Sequence, residues 1–307
     1  MRVLMVGAGA IGGYFGGRMA EAGEDVTFLV RPRRAAQIAA DGLVIRSPRG
    51  DMARPVPTVQ ADALGGPYDA VVLSCKAFDL DDAITSFAPA VGPGTAILPL
   101  LNGMRHLDAL AARLGAGAVL GGQCQIAATL EPDGTIRHLN DAQALSLGEL
   151  GEFDGRTTPR VEALGAAFAG CGGRVSTTII QDMWEKWVFL ACLACLTSLM
   201  RASVGDVVAA GGTEIAEGLF DEAAGIATAQ DHPPRPAFVE RMRGMLAQPG
   251  LAFIASMLRD IERGNPIEAD HVVGDLIARG APADTRLLRI AFVHLKAYEA
   301  RRKREQR

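Results

Sequence analysis

The sequence predicts an α/β domain with a parallel sheet, followed by an all-α domain. Three observations carry this. Short apolar runs alternate with helical stretches through the first half of the chain. A glycine-rich turn stands directly after the first run. From Gln181 onward only helical periodicity remains. The join is expected near 176–180, giving domains over 1–177 and 178–307.

"RVLMV" (Arg2–Val6) is rich in valine and leucine and ends in glycines, which predicts a buried strand. A helix over 11–22 follows, with Gly23 suited to its C′ position. "DVTFLV" is the second strand, and "GLVIRS" and "PVPTV" are shorter candidates between turn formers. "YDAVVLSCKA" carries a buried strand over 70–74, with Asp79 placed to cap the helix after it. "GTAILPLLNG" repeats the pattern, its strand ending near Leu100. This spacing implies parallel βαβ units with right-handed crossovers. "AVLGGQCQIAATLE", "TIRHL" and "ALSLGEL" read as further strands extending or edging the same sheet. Helices are expected over 181–200, 203–230, 236–247, 251–263, 267–279 and 284–303. Pro159, Pro233, Pro236, Pro249, Pro266 and Pro282 fall at or near helix starts or in connections.

Composition narrows the function. Of 307 residues, 49% are hydrophobic and 21% charged, as in ordinary soluble globular proteins. The net charge is −4, with no basic stripe before the tail "RRKREQR", so no nucleic-acid partner is expected. Five scattered cysteines make no disulfide framework, no metal site is expected, and "MRVLMVGAGAIGG" lacks signal-peptide order. The expected location is cytoplasmic. In "EKWVFLACLACLTSLM" the uncharged residues 187–200 are shorter than the roughly 20 needed to cross a bilayer, so no membrane partner is expected. Cys192 and Cys195 form a C-x-x-C there, but among Phe189, Leu190, Leu193 and Leu196 they read as core thiols rather than a redox pair.

Gly7-Ala8-Gly9-Ala10-Ile11-Gly12 matches G-x-G-x-x-G between a strand and a helix. In that context the glycines permit a tight turn and close backbone approach to a pyrophosphate, whose charge suits the helix N-terminus. The second strand is followed by "RPRR", where an NAD site would carry Asp or Glu. Arg31, with Arg33 or Arg34 nearby, instead offers guanidinium to a 2′-phosphate, favouring NADP(H). Lys76 and Asn102 each lie just past a predicted parallel strand, the edge at which open α/β sheets collect ligands. In "SMLRDIERGNPIEAD", Ser256, Asp260 and Glu268 add polar groups, although Glu268 alone reads first as a charge near a helix start.

Together, "GAGAIGGYFGGRMAEAG", Arg31, "CKAFD", "LNGM", "MWEKWVF" and "ASMLRDIERGNPIEADHVVGDLIARG" resemble the ketopantoate reductase (2-dehydropantoate 2-reductase) family in collinear order. The resemblance implies a Rossmann-type N-terminal domain and a helical C-terminal domain, with the active site in the cleft between them. It implies that Gly7, Gly9 and Gly12, with Ala10 and Ile11, hold the pyrophosphate and that Arg31 holds the 2′-phosphate. Lys76 and Asn102 would lie beside the nicotinamide ribose and substrate. Lys186 would be the general acid, Glu268 would hold the substrate or the lysine network, and Ser256 would bond the substrate carboxylate. The role given to Lys186 fits the chemistry: hydride attack on a ketone builds charge on oxygen, which an ammonium stabilises and protonates.

The sequence also departs from the family. The resemblance implies asparagines four and eight residues after the lysine, where this chain has Leu190 and Ala194. Two further expected asparagines align with Val204 and Phe253. The expectation is NADPH-dependent reduction of a 2-keto acid to a 2-hydroxy acid, with ketopantoate (to pantoate, in pantothenate synthesis) the leading named substrate and a less polar 2-keto acid the variation that these four positions raise. The competing readings are an NADP(H)-binding regulatory or redox-sensing protein without turnover and a related β-hydroxyacid-type dehydrogenase. The largely apolar helix after Lys186 needs cover from the other five helices or from a homodimer through the helical domain, and a homodimer is the expectation.

Overall fold

A computed structural model describes residues 1–280 and 285–305. The expected Pro282 connection, residue 284 and the last two residues of the basic tail lie outside the described residues. The chain divides into two compact units: Met1–Leu101 with His106–Ile180, and Asn102–Arg105 with Gln181–Arg307. It pairs a Rossmann-like parallel sheet and its helices with a helical C-terminal unit.

The first unit opens with β1 (Arg2–Val6), α1 (Ala10–Glu21), β2 (Asp25–Leu29), α2 (Pro32–Asp41), β3 (Leu43–Arg46), β4 (Met52–Arg54) and β5 (Thr58–Val59). It continues with β6 (Ala70–Leu73), α3 (Leu80–Phe87), β7 (Ala96–Pro99), α4 (Arg105–Leu114), β8 (Gly121–Leu130), β9 (Ile136–Gly148), α5 (Pro159–Ala167) and β10 (Gly173–Val175).

Strands β5, β2, β1, β6 and β7, in that order, form an all-parallel sheet. Successive residues of its strands enter two separate cores, Val3 and Met5 in one and Leu4 and Val6 in the other. Burial of both faces explains why these strands read as continuous apolar runs rather than alternating ones. The remaining strands correct an expectation. β8, β9, β10, β3 and β4 form a second sheet; the start of "AVLGGQCQIAATLE" edges the first through a parallel bridge of Val119 to Ile97, and "TIRHL" and "ALSLGEL" belong to one strand, β9. Glycines of α1 allow the close fit of both sheets. A Cβ at Gly16 would stand 2.8 Å from the Phe28 ring, and one at Gly17 would stand 2.8 Å from Ile45 Cδ1.

The second unit is built on α6 (Ile179–Met200), α7 (Val204–Ala209), α8 (Thr213–Ala229), α9 (Pro236–Leu246), α10 (Ser256–Glu262), α11 (Asp275–Arg279) and α12 (Arg286–Glu305). The helix expected over 203–230 is two helices. A Ser203/Asp206 capping box starts α7, and Gly211 at φ +82° turns the chain before α8. The helix expected over 251–263 begins only at Ser256. The backbone before it is spent elsewhere, Leu251 and Phe253 carbonyls accepting from Gly205 and Val204 amides at 2.9 and 3.0 Å. Over 267–279 the chain forms a π-helical turn, Asp270–Gly274, before α11.

Helix α6 also corrects the length argument. At 22 residues it is long and apolar enough to cross a membrane, but 72% of its most apolar window is buried within the protein. Burial, not length, marks it as a core helix.

Candidate functional site

The first candidate site lies at the C-terminal edge of the parallel sheet. β1 sits between β2 and β6, so the chain leaves in opposite directions on its two sides, the place where such sheets bind ligands. Gly7 follows β1 and takes φ +92°, a left-handed conformation that favours glycine. A Cβ at Gly12 would stand 2.0 Å from Ser74 Oγ, whereas one at Gly9 would meet nothing within 4 Å. Close packing at Gly12 and open space at Gly9 leave the loop accessible to a ligand. Gly9 is the N-cap of α1, no side chain caps that helix, and its first turn carries no acid. The amides around Ala10 and Ile11 therefore suit the pyrophosphate of a dinucleotide.

Arg31 is the N-cap of α2, and its side chain is 73% exposed. Its Nη2 donates to Asp79 Oδ1 at 2.8 Å, and this bond raises the guanidinium pKa. Asp79 occupies the N-cap position of α3, as expected, but makes no capping hydrogen bond; its carboxylate serves Arg31 instead. Arg34 is committed to the loop. Its Nε donates to the Ala8 carbonyl and its Nη1 to the Gly134 carbonyl, both at 2.9 Å, and burial lowers its pKa. Lys76 is exposed just after β6.

The second candidate site lies in the helical unit. A pocket of about 370 Å³, counting space open to solvent, is lined by Asn102, Leu190, Ala194, Ala255, Ser256, Met257, Asp260, Glu268 and Val272. Five of the substrate-side positions read from the sequence thus line one pocket: Asn102, Leu190, Ala194, Ser256 and Glu268. Lys186 is half-buried on α6, one turn before Leu190, and is not in the lining. Val204 and Phe253 are not in it either; Phe253 stacks on Phe189 with ring centroids 6.1 Å apart.

Sequence reasoning missed Ala255, Met257 and Val272 as pocket walls. Asp260 had a readable signal, since it lies four residues after Ser256 and so shares its face of α10. Val272 had the same kind of signal, since it lies four residues after Glu268 and its amide donates to the Glu268 carbonyl at 2.9 Å. The π-helical turn that holds Val272 is tied down twice. Trp187 Nε1 donates to the Val272 carbonyl at 2.8 Å, and the His271 side chain bonds the Asn102 backbone. Burial lowers the His271 pKa, against the pull of Glu268 and Asp275.

Cys192 and Cys195 are fully buried, and burial pushes both thiols far up. They lack the thiolate that redox exchange needs. Among the described residues no cluster of His, Cys, Asp or Glu is arranged to hold a metal ion.

Comparison with known proteins places the chain in a family. The family model described as ketopantoate reductase PanE/ApbA matches residues 3–152, and its C-terminal counterpart matches residues 178–299. The chain is 35% identical to an uncharacterized oxidoreductase, YkpB, of Bacillus subtilis, over 98% of this chain and 99% of that one. Among solved structures it is similar to 2-dehydropantoate 2-reductase from Geobacter metallireducens GS-15, with TM-score 0.86 and 30% identity over 97% and 99% of the two chains. It shares the fold of a D-mandelate dehydrogenase solved with NADH and anilino(oxo)acetate, with TM-score 0.88 and 18% identity over 99% and 100% of the chains. The chain belongs to the ketopantoate reductase PanE/ApbA family of oxidoreductases, which use a nicotinamide cofactor and act on small keto acids.

Proposed function

We propose that this protein reduces a 2-keto acid to the 2-hydroxy acid with NADPH, and that its substrate is less polar than ketopantoate. The observation that carries this is the division of the pocket lining. Asn102, Ser256, Asp260 and Glu268 supply polar groups, while Leu190, Ala194, Ala255, Met257 and Val272 supply hydrocarbon. Domains over 1–177 for the cofactor and 178–307 for the substrate are part of this reading.

When bound, the nicotinamide group supplies a hydride to the keto carbon. The chain's own residues do the rest. Gly7, Gly9 and Gly12, with Ala10 and Ile11, bind the pyrophosphate by backbone approach, Arg31 favours the 2′-phosphate, and Lys76 and Asn102 serve the nicotinamide ribose. Asn102 and Ser256 offer neutral hydrogen-bond donors, Ser256 to the substrate carboxylate. Lys186 shares the α6 face of Leu190 and Ala194 by helical spacing. Its ammonium stabilises charge on the keto oxygen and gives up a proton there. Glu268 holds the substrate or the lysine network. Leu190, Ala194, Met257 and Val272 cover an aliphatic or aromatic side chain but cannot pair a hydroxyl, which is how such a site loses preference for ketopantoate.

The test is NADPH oxidation by the purified protein over a panel of 2-keto acids, with Lys186→Ala as control. Highest kcat/KM on branched or aromatic keto acids is expected, with activity lost in the variant. A clear preference for ketopantoate would sink the altered substrate and return the protein to pantothenate synthesis. Tight NADPH binding without turnover would favour the regulatory reading.

A cytoplasmic location accords with five cysteines that are all thiols, four of them buried. A homodimer no longer rests on α6, which its own chain covers. It rests on Ile290 and Val293 of α12, exposed by 51% and 66%, and light scattering would test it.

A further inference from the structure

Asp79 stands where a cofactor phosphate would be expected to find only positive charge. Arg31 follows β2 and Asp79 follows β6, the two strands that flank β1. Their 2.8 Å ion pair therefore spans the edge from which the Gly7 turn emerges. Asp82 adds a second negative charge that acts on Arg31. Arg34 keeps its charge but is not free to reach a phosphate, because its Nε and Nη1 are held by the Ala8 and Gly134 carbonyls and its Nη2 is buried. The Arg31 guanidinium thus faces two carboxylates, and an incoming 2′-phosphate must share it.

We propose that Asp79 is a specificity-determining residue for the cofactor, competing with the 2′-phosphate for Arg31 and so narrowing the preference for NADPH over NADH. The inference rests on the reading that Arg31 meets the adenosine ribose of the cofactor. A dianionic phosphate brought beside Asp79 is opposed by like charge, and it must also break the existing pair. The unphosphorylated ribose meets neither obstacle, and a carboxylate near the end of the second strand is what sites for the unphosphorylated cofactor use to hold ribose hydroxyls. An exposed ion pair and one like-charge contact in water are each worth about 1 kcal/mol or less. The effect is thus a tilt in preference rather than exclusion of either cofactor.

The test is direct binding of NADPH and NADH to the whole protein, followed by quenching of protein fluorescence or by calorimetry. Wild type, Asp79→Asn, Asp79→Gln and Arg31→Ala are compared, with folding checked by thermal melting. Neutralising Asp79 is expected to tighten NADPH by about five- to tenfold, leaving NADH unchanged or weaker. Either variant serves if the other fails to fold. A ratio of the two dissociation constants that stays flat in the Asp79 variants, while Arg31→Ala weakens NADPH, overturns the role of Asp79 alone. If Arg31→Ala leaves NADPH binding unchanged, the reading of Arg31 falls and takes this proposal with it.

Discussion

Trp187 Nε1 donates to the Val272 carbonyl oxygen at 2.8 Å, fastening the residue beside Lys186 to the π-helical turn that forms one wall of the pocket. The Trp187 ring is 1% exposed, with Arg279 over its face at 5.7 Å. Trp187→Phe keeps most of the apolar bulk but leaves a buried carbonyl without this donor, a loss of about 1–3 kcal/mol. Urea unfolding should show that loss. KM for the keto acid should rise more than kcat falls, because a wall is loosened while the proton donor stays. Unchanged stability would show that the turn does not depend on the tryptophan.

His271 makes the same turn sensitive to acid. Burial lowers its pKa from the ordinary 6.5, and Glu268, Asp275 and Arg105 are the charged groups that act on it. Because the folded value is depressed, folding carries no cost from this group above about pH 6.5. Below that, the unfolded chain takes up a proton that the folded chain resists, and stability falls until the lowered folded value is passed. His271→Gln should flatten the slope of unfolding free energy against pH below about 6.5. A slope equal to wild type would remove His271 as its source.

Much of this is legible in the sequence. The glycine turn and the four strands Arg2–Val6, Asp25–Leu29, Ala70–Leu73 and Ala96–Pro99 were readable because a parallel sheet buried on both faces leaves unbroken apolar runs. Leu190 and Ala194 were readable as pocket positions because the family resemblance marks the residues four and eight after Lys186, and helical spacing keeps all three on one face. The second sheet was not readable, since β3, β9 and β10 are brought together by pairings far apart in sequence. The pairing of Arg31 with Asp79 joins residues 48 apart, and capping was the only local role on offer for the aspartate.

Glu149 and Arg160 give a prediction about the first unit. The Glu149 side chain is fully buried, and Arg160 bonds it through Nε at 2.8 Å and Nη2 at 2.5 Å, with Thr158 donating as well. Burial alone would push the carboxyl up, but the bonds from Arg160 and Thr158 hold it below its usual range. Arg160→Met strips a buried charge of its main partner and should cost about 2–4 kcal/mol, somewhat reduced because the arginine is partly exposed. The folded value in wild type is depressed, so its contribution is present above about pH 4.5 and lost on acidification. Denaturant melts at pH 7 and pH 4 should therefore show a larger gap between variant and wild type at pH 7. Equal gaps would mean that the loss is one of packing rather than charge.

Leu190→Asn tests the link between pocket wall and substrate. Leu190 lies one turn after Lys186 and lines the pocket with Ala194 and Val272. An amide there could pair a substrate hydroxyl, but with an apolar keto acid it would be left unpaired and desolvated, at about 1–3 kcal/mol. The variant should lose about tenfold or more in kcat/KM on a branched or aromatic keto acid and gain relative activity on a hydroxylated one. Ala194→Asn, one further turn along the same face, should act in the same direction, and the double variant more strongly than either alone. Ratios of kcat/KM for the two substrates across the four proteins make the measurement independent of enzyme concentration. If the ratios stay constant while overall activity falls, the α6 wall bears on folding and not on the choice of substrate.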